Sequence, residues 1–82
     1  MDTRAYGELL AEVGRRIRGA RIKAGITQEE AAHAAGMDWR RWQRLEEGTV
    51  NATLKTLMRA AKAVKTDFWS LLASVEGPRG RK

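Results

Sequence analysis

Apolar side chains recur along this chain at intervals of three and four. Leu10, Val13, Ile17, Ala20 and Ala24 form the first such series, which is the spacing of one face of an α-helix. This helix is expected to start near Tyr6–Glu8 and to stop at Gly25, since glycine suits the left-handed position just past a helix end. A second helix opens at Thr27, where Thr27-Gln28-Glu29-Glu30 has the form of a capping box. Gly36 ends it, Asp38 caps a third helix, and Gly48 stops that one after Glu47. Thr53 is placed to cap a fourth helix, with Leu54, Leu57, Met58, Ala61 and Val64 as its buried stripe. Asp67 caps a short fifth helix carrying Phe68, Leu71 and Leu72. No alternating strand pattern, internal repeat or low-complexity tract interrupts the series. The fold expected is all-α, a compact domain of five helices.

Three boundaries follow from the same pattern: an N-terminal arm over 1–7, a folded domain over 8–75, and a disordered basic tail over 76–82. The tail, Gly77-Pro78-Arg79-Gly80-Arg81-Lys82, has no apolar content with which to pack. Eighty-two residues make one domain, and a core of that size supports only about 3–5 kcal/mol of net stability. There is no cysteine, so neither a disulfide nor a thiolate metal site adds to it. Dimerisation is the most accessible further source. The lack of cysteine also suits a reducing cytoplasm. No apolar run reaches the ~20 residues of a membrane span, and the first residues lack a signal-peptide core. A cytoplasmic protein is expected, with no membrane partner.

Charge sharpens the picture. Sixteen Lys and Arg against ten Asp and Glu leave a net charge of +6, which selects for polyanions. The second and third helices concentrate the signal. Two helices that cross closely need a small residue at the contact and a permissive one in the turn, and Ala32 and Gly36 are placed for these roles. Trp42 and Leu45 point inward and fix the third helix, so Trp39, Arg40, Gln43 and Arg44 point outward. A short helix with arginine and amide side chains on its free face is suited to a DNA major groove, because arginine can grip guanine and glutamine can grip adenine through paired hydrogen bonds.

These segments resemble the lambda-repressor-like, Xre-type helix-turn-helix domains of bacteria and phages. The matching pieces are Arg-Ile-Arg-Gly-Ala-Arg at 16–21, Thr-Gln-Glu-Glu-Ala-Ala at 27–32, Gly-Met-Asp at 36–38, Leu-Glu-Glu-Gly at 45–48 and Asn-Ala-Thr-Leu at 51–54. The resemblance implies a sequence-specific transcriptional regulator that binds double-stranded DNA as a homodimer on a palindromic operator. Arg40, Gln43 and Arg44 would face base edges. Gln28 would bond a phosphate and brace the reading helix, aided by the free amides of its helix start. Arg41, Thr49 and Asn51 would meet the phosphate backbone. Arg21 and Glu46 would form a partly buried structural ion pair. Phage repressors and the controller proteins of restriction–modification systems are stand-alone regulators of this size.

The chain also departs from the family pattern. Trp42 replaces a branched aliphatic residue, while Ala20 and Ala31 replace leucines, which suggests that one large ring fills the space of two smaller side chains. Trp39 stands where small polar residues or glutamine are common; it packs either on a thymine methyl or sugar–phosphate edge, or on the domain's own turn. Lys65 takes the place of a glycine that often ends the fourth helix. Trp69, with Leu72 and Val75, would form an exposed apolar patch. Many family members dimerise through this region, so the patch is assigned to a dimer interface, the alternative being a tryptophan folded over the core edge.

Other chemistry finds little purchase. His33 is the sole histidine and has no companion ligand, so no metal is expected. Glu8 with Glu12, or Glu29 with Glu30, serve as helix-start charges and solvated faces. No phosphate loop or catalytic set appears, so neither an enzyme nor a cofactor is expected. Arg15, Arg18 and Lys23 on the first helix, and Lys55, Arg59 and Lys62 on the fourth, either add non-specific DNA affinity or are a solvated surface. Two rival functions remain: an antitoxin-type module whose Trp69 patch holds a partner protein, with DNA binding secondary, and a structure-selective RNA binder.

Overall fold

The computed structural model of the protein describes residues 3–72. Five helices follow one another: α1 (Thr3–Lys23), α2 (Gln28–Ala35), α3 (Trp39–Glu47), α4 (Leu54–Ala63) and α5 (Phe68–Leu72). Val75 and the basic tail over 76–82 lie outside the described residues. α1 packs on α3 and α5, α2 packs on α3 and α4, and α4 packs on α5.

Local signals set the helix starts. The Thr27 hydroxyl accepts from the Glu30 amide at 3.0 Å, and the Glu30 carboxylate accepts from the Thr27 amide at 2.9 Å, which closes a capping box. Asp38 accepts from the Arg40 amide, Thr53 from the Thr56 amide and Asp67 from the Ser70 amide. The ends of α1 to α4 share one device. The amides of Ile26, Met37, Thr49 and Thr66 each bond the carbonyl five residues back, at 2.9–3.1 Å, with a left-handed residue just before them. Three of those residues are glycines, and the fourth is Lys65 at φ 66°. The lysine adopts the glycine conformation, so the turn before Asp67 keeps its shape at some steric cost.

The core is built around Trp42, Ile17 and Val64, all fully buried. Val13, Ala31, Ala32, Ala35, Leu45, Leu57, Ala60, Ala61 and Leu71 complete it, with Ala20, Met37, Phe68 and Leu72 packed partly against it. The largest ring of the core and the small Ala20 and Ala31 therefore occupy one cluster.

Three expectations need correction. α1 begins at Thr3, so residues 3–7 are helix and not an arm; its first turn carries too few apolar residues for periodicity to reveal it. Ala24 is exposed because it lies past the last turn of α1. On α4, Leu54 is 66% and Met58 57% exposed. The helix buries the expected Leu57 and Ala61 together with Ala60, and Val64 is buried at its C-cap. It packs on α2, whose buried residues are all alanines, and its own alanines permit that close approach, which turns Leu54 and Met58 outward.

The contact between α1 and α3 is closer still. A Cβ on Gly14 would lie 2.5 Å from the Glu46 carbonyl oxygen and 2.6 Å from that of Leu45. A Cβ on Gly48 would lie 2.6 Å from Ala11 Cα. The two backbones touch through glycines, and this fixes where α3 sits.

Candidate nucleic-acid interface

α3 is short and lopsided. Trp42, Leu45 and Glu46 are buried, while Trp39, Arg40, Arg41 and Arg44 are exposed and Gln43 is partly so. Its nine residues leave one side free for a partner.

A buried polar centre holds the helix in place. Glu46 is 6% exposed. Arg21 donates to it twice, from Nε at 2.5 Å and from Nη2 at 3.2 Å. The remaining Arg21 nitrogen donates to the Ile26 carbonyl at 3.0 Å. Trp42 Nε1 donates to Glu46 Oε2 at 2.6 Å and Gln28 Nε2 to Oε1 at 3.0 Å. Burial alone would raise the Glu46 carboxyl, but the hydrogen bonds from Arg21, Gln28 and Trp42 and the nearby guanidinium charge outweigh it, and the group lies below its ordinary value. One carboxylate thereby ties α1, α2 and α3 together. Among the described residues, no buried side-chain polar atom lacks a hydrogen-bond partner.

Beside this centre lies an open cleft of about 910 Å³ between α1 and the starts of α2 and α3. It brings together Gln28, Trp39 and Gln43 with Arg15 and Arg18 of α1. Gln43 Nε2 donates to Gln28 Oε1 at 3.4 Å. Trp39 is 44% exposed, so its indole is neither free in solvent nor folded away. Arg40, Arg41 and Arg44 stand outside the cleft on the exposed side of α3. Thr49 donates its hydroxyl to the Arg44 carbonyl at 3.4 Å, which places it at the end of α3, and Asn51 is exposed in the loop that follows.

The expected apolar patch falls at the α5 end of the domain, where Trp69 is its one exposed member among the described residues. Trp69 is 76% exposed and meets Phe68 edge-on at 5.6 Å. Leu72 is half-buried against the core, and Val75 lies outside the described residues. Arg16 reaches this end from α1, donating to the Leu71 carbonyl at 3.3 Å and to Glu12 at 3.0 Å.

Sequence reasoning missed several features. The Trp42–Glu46 bond was signalled by a tryptophan and a carboxylate four apart on one helix. Gly14 was signalled by a glycine inside an otherwise regular helical pattern. The sequence leaves Arg15 and Arg18 as either non-specific DNA contacts or solvated charge, and nothing in it shows that they wall the cleft. Lys55, Arg59 and Lys62 are exposed on α4. Among the described residues no helix is long and apolar enough to cross a membrane, and no group of three or more His, Cys, Asp or Glu is placed to hold a metal ion.

A family model described as a helix-turn-helix domain matches residues 12–68. Among solved structures, the chain is similar to the crystal structure of the restriction–modification controller protein C.AhdI from Aeromonas hydrophila. The identity is 29% and the TM-score 0.72, over 76% of this chain and 94% of that one. No curated protein matches.

Proposed function

The chain belongs to the family of helix-turn-helix domains and is a DNA-binding transcriptional regulator of that fold; from this premise we propose that it acts as a cytoplasmic homodimer on a palindromic operator. In this proposal each subunit lays α3 in a major groove, with half-sites about one helical turn apart. Arg40, Gln43 and Arg44 read base edges, and Trp39 packs at the mouth of the groove. Gln28, Arg41, Thr49 and Asn51 meet phosphates, which supply affinity and register. The chemistry is binding and not catalysis, and it needs no cofactor.

The observation that carries the proposal is the pairing of opposites on α3. One face is locked to the rest of the domain through Trp42, Leu45 and Glu46, and the other presents three exposed arginines. A charged helix held rigidly with its free face outward loses little conformational freedom on meeting DNA. Support for a dimer comes from Trp69, a large aromatic side chain left 76% exposed on α5. The similarity to a controller protein supports a regulator tied to a restriction–modification system.

Selection of bound sequences from random duplex DNA tests this directly. A symmetric motif should emerge, and affinity should fall by about 10³–10⁵ between 50 and 200 mM salt if six to ten phosphates are neutralised. No enrichment, or binding indifferent to salt, would contradict it. Sedimentation of Trp69→Ala should show dissociation to monomer; an unchanged dimer would remove Trp69 from the interface. The same exposed indole favours one second reading, an antitoxin-type module. Stable co-purification of another protein, lost in Trp69→Ala, would support that reading over the homodimer.

A further inference from the structure

The last helix is lightly held. α5 has five residues and buries one of them, Leu71. It packs on α1 and α4. α3 is fixed separately, by the close glycine contacts to α1 and by the Glu46 centre. The turn leading into α5 holds Lys65 at φ 66°, a conformation strained for a lysine. Two polar contacts oppose that strain. Asp67 caps the start of α5 through the Ser70 amide at 2.7 Å. At the other end Arg16 of α1 donates from Nη1 to the Leu71 carbonyl at 3.3 Å. That carbonyl is one of the last in its helix, where no helical amide is left to meet it and a cation is favoured by the helix dipole. Glu12, one turn back on α1, orients the guanidinium by accepting from its Nε at 3.0 Å.

We propose that α5 is a strap latched by Arg16, which docks and releases as a unit while α3 stays in place, and that a second copy of this chain binds only the docked state. A five-residue helix does not persist in water alone, so release exposes its amides and disperses the surface that carries Trp69. The bonds that hold α3 involve Arg21, Gln28 and Trp42 and survive that release. Arg16 is therefore a positioning residue: it sets how much of the chain presents Trp69 to a partner without touching the partner itself. The clause about the second copy rests on the homodimer proposed above. The strap and its latch stand without it.

Native-state amide hydrogen exchange of the full chain, followed over a range of low urea concentrations, reads both helices. The Leu71 amide, bonded to the Asp67 carbonyl, reports α5, and the Trp42 amide, bonded to the Asp38 carbonyl, reports α3. Leu71 should exchange faster than Trp42 and with a shallower dependence on urea, the mark of a local opening. Arg16→Met keeps the aliphatic stem and removes the donors. It should speed Leu71 exchange about 10- to 150-fold, and Arg16→Lys, which cannot serve both acceptors as the planar guanidinium does, should speed it less. Arg15→Met removes a neighbouring cation without touching α5 and should leave Leu71 as it is. The strap is overturned if Leu71 and Trp42 share one rate and one urea dependence, because α5 then opens only with the whole domain. The latch is overturned if Arg16→Met leaves Leu71 unchanged or if Arg15→Met speeds it equally. Leu71 protection should also rise with protein concentration, since association through α5 stabilises the docked state. Protection independent of concentration would remove α5 from the dimer interface, and with it the second clause, while the exchange pattern still decides the strap.

Discussion

Replacing Glu46 by glutamine swaps one carboxylate oxygen for an NH2 group at nearly constant volume. All the hydrogen-bonding partners of that carboxylate are donors: Arg21 twice, Gln28 and Trp42. An amide can satisfy one side of this cluster, and its NH2 must then face Arg21 and Trp42 or Arg21 and Gln28. The guanidinium, with a side chain 12% exposed, loses its counter-charge as well. Breaking one partner of a buried ion pair costs about 3–5 kcal/mol. A domain of this size holds about 3–5 kcal/mol in total, so Glu46→Gln should be largely unfolded at 25 °C, with a melting temperature lower by about 15–35 °C. Urea titration followed by far-ultraviolet circular dichroism measures this. The double variant Arg21→Met with Glu46→Leu should be more stable than the sum of its single changes, because neither charge is then stranded. A loss below about 1 kcal/mol for Glu46→Gln would refute the reasoning, since a pair worth so little behaves like a solvated one.

Other consequences can be measured on the same footing. Trp42→Phe keeps most of the buried ring but removes the Nε1 donor to Glu46, and should cost about 1.5–3 kcal/mol in urea unfolding; no change would mean that the indole serves only as filler. Gly14→Ala drives a methyl group to 2.5 Å from the Glu46 carbonyl, so α1 and α3 must part, at about 1–3 kcal/mol, despite the better helix propensity of alanine; a higher melting temperature would contradict the close approach. Lys65→Gly relieves a left-handed lysine, gaining about 1–2 kcal/mol against about 0.5–1 kcal/mol lost to glycine flexibility, so the melting temperature should hold or rise slightly, and a clear fall would refute it. The Glu46 carboxyl lies below its ordinary 4.5 in the folded state, so the unfolded chain takes up the proton first. Its stabilisation is complete above that ordinary value and is lost as pH falls through the lower folded one. Glu12, lowered by its bonds to Arg15 and Arg16, acts with the same sign. Melting temperature should therefore drop on acidification below about pH 5, and a domain most stable in strong acid would contradict it.

The starts of α2 to α5 were legible because their causes are local, whereas the start of α1 at Thr3 was not. Thr27, Asp38, Thr53 and Asp67 each bond an amide two or three residues on, and such short-range bonds are written in the order of residues. Burial on α4 was not legible, because Leu54, Met58 and Leu57 are equally apolar and the choice among them depends on how closely α2 lets α4 approach. The glycine contact at Gly14 is also a property of two helices together. At the candidate interface, the outward set on α3 followed once Trp42 was placed inside. The hydrogen-bond relay through Glu46, Gln28 and Gln43 joins residues on two helices through particular rotamers, and residue identity alone does not select those rotamers. The left-handed Lys65 shows the same limit from the other side: the turn is imposed by the bond from Thr66 to Ala61, and the side chain submits to it.

Amide chemical-shift mapping of the protein against its selected duplex tests most directly whether the free face of α3 is the surface that meets DNA. The largest changes should fall on Gln28 and on Trp39, Arg40, Gln43 and Arg44, with α4 and Trp69 little affected beyond any effect of dimer formation. Changes confined to α4 and α5, with α3 silent, would contradict it.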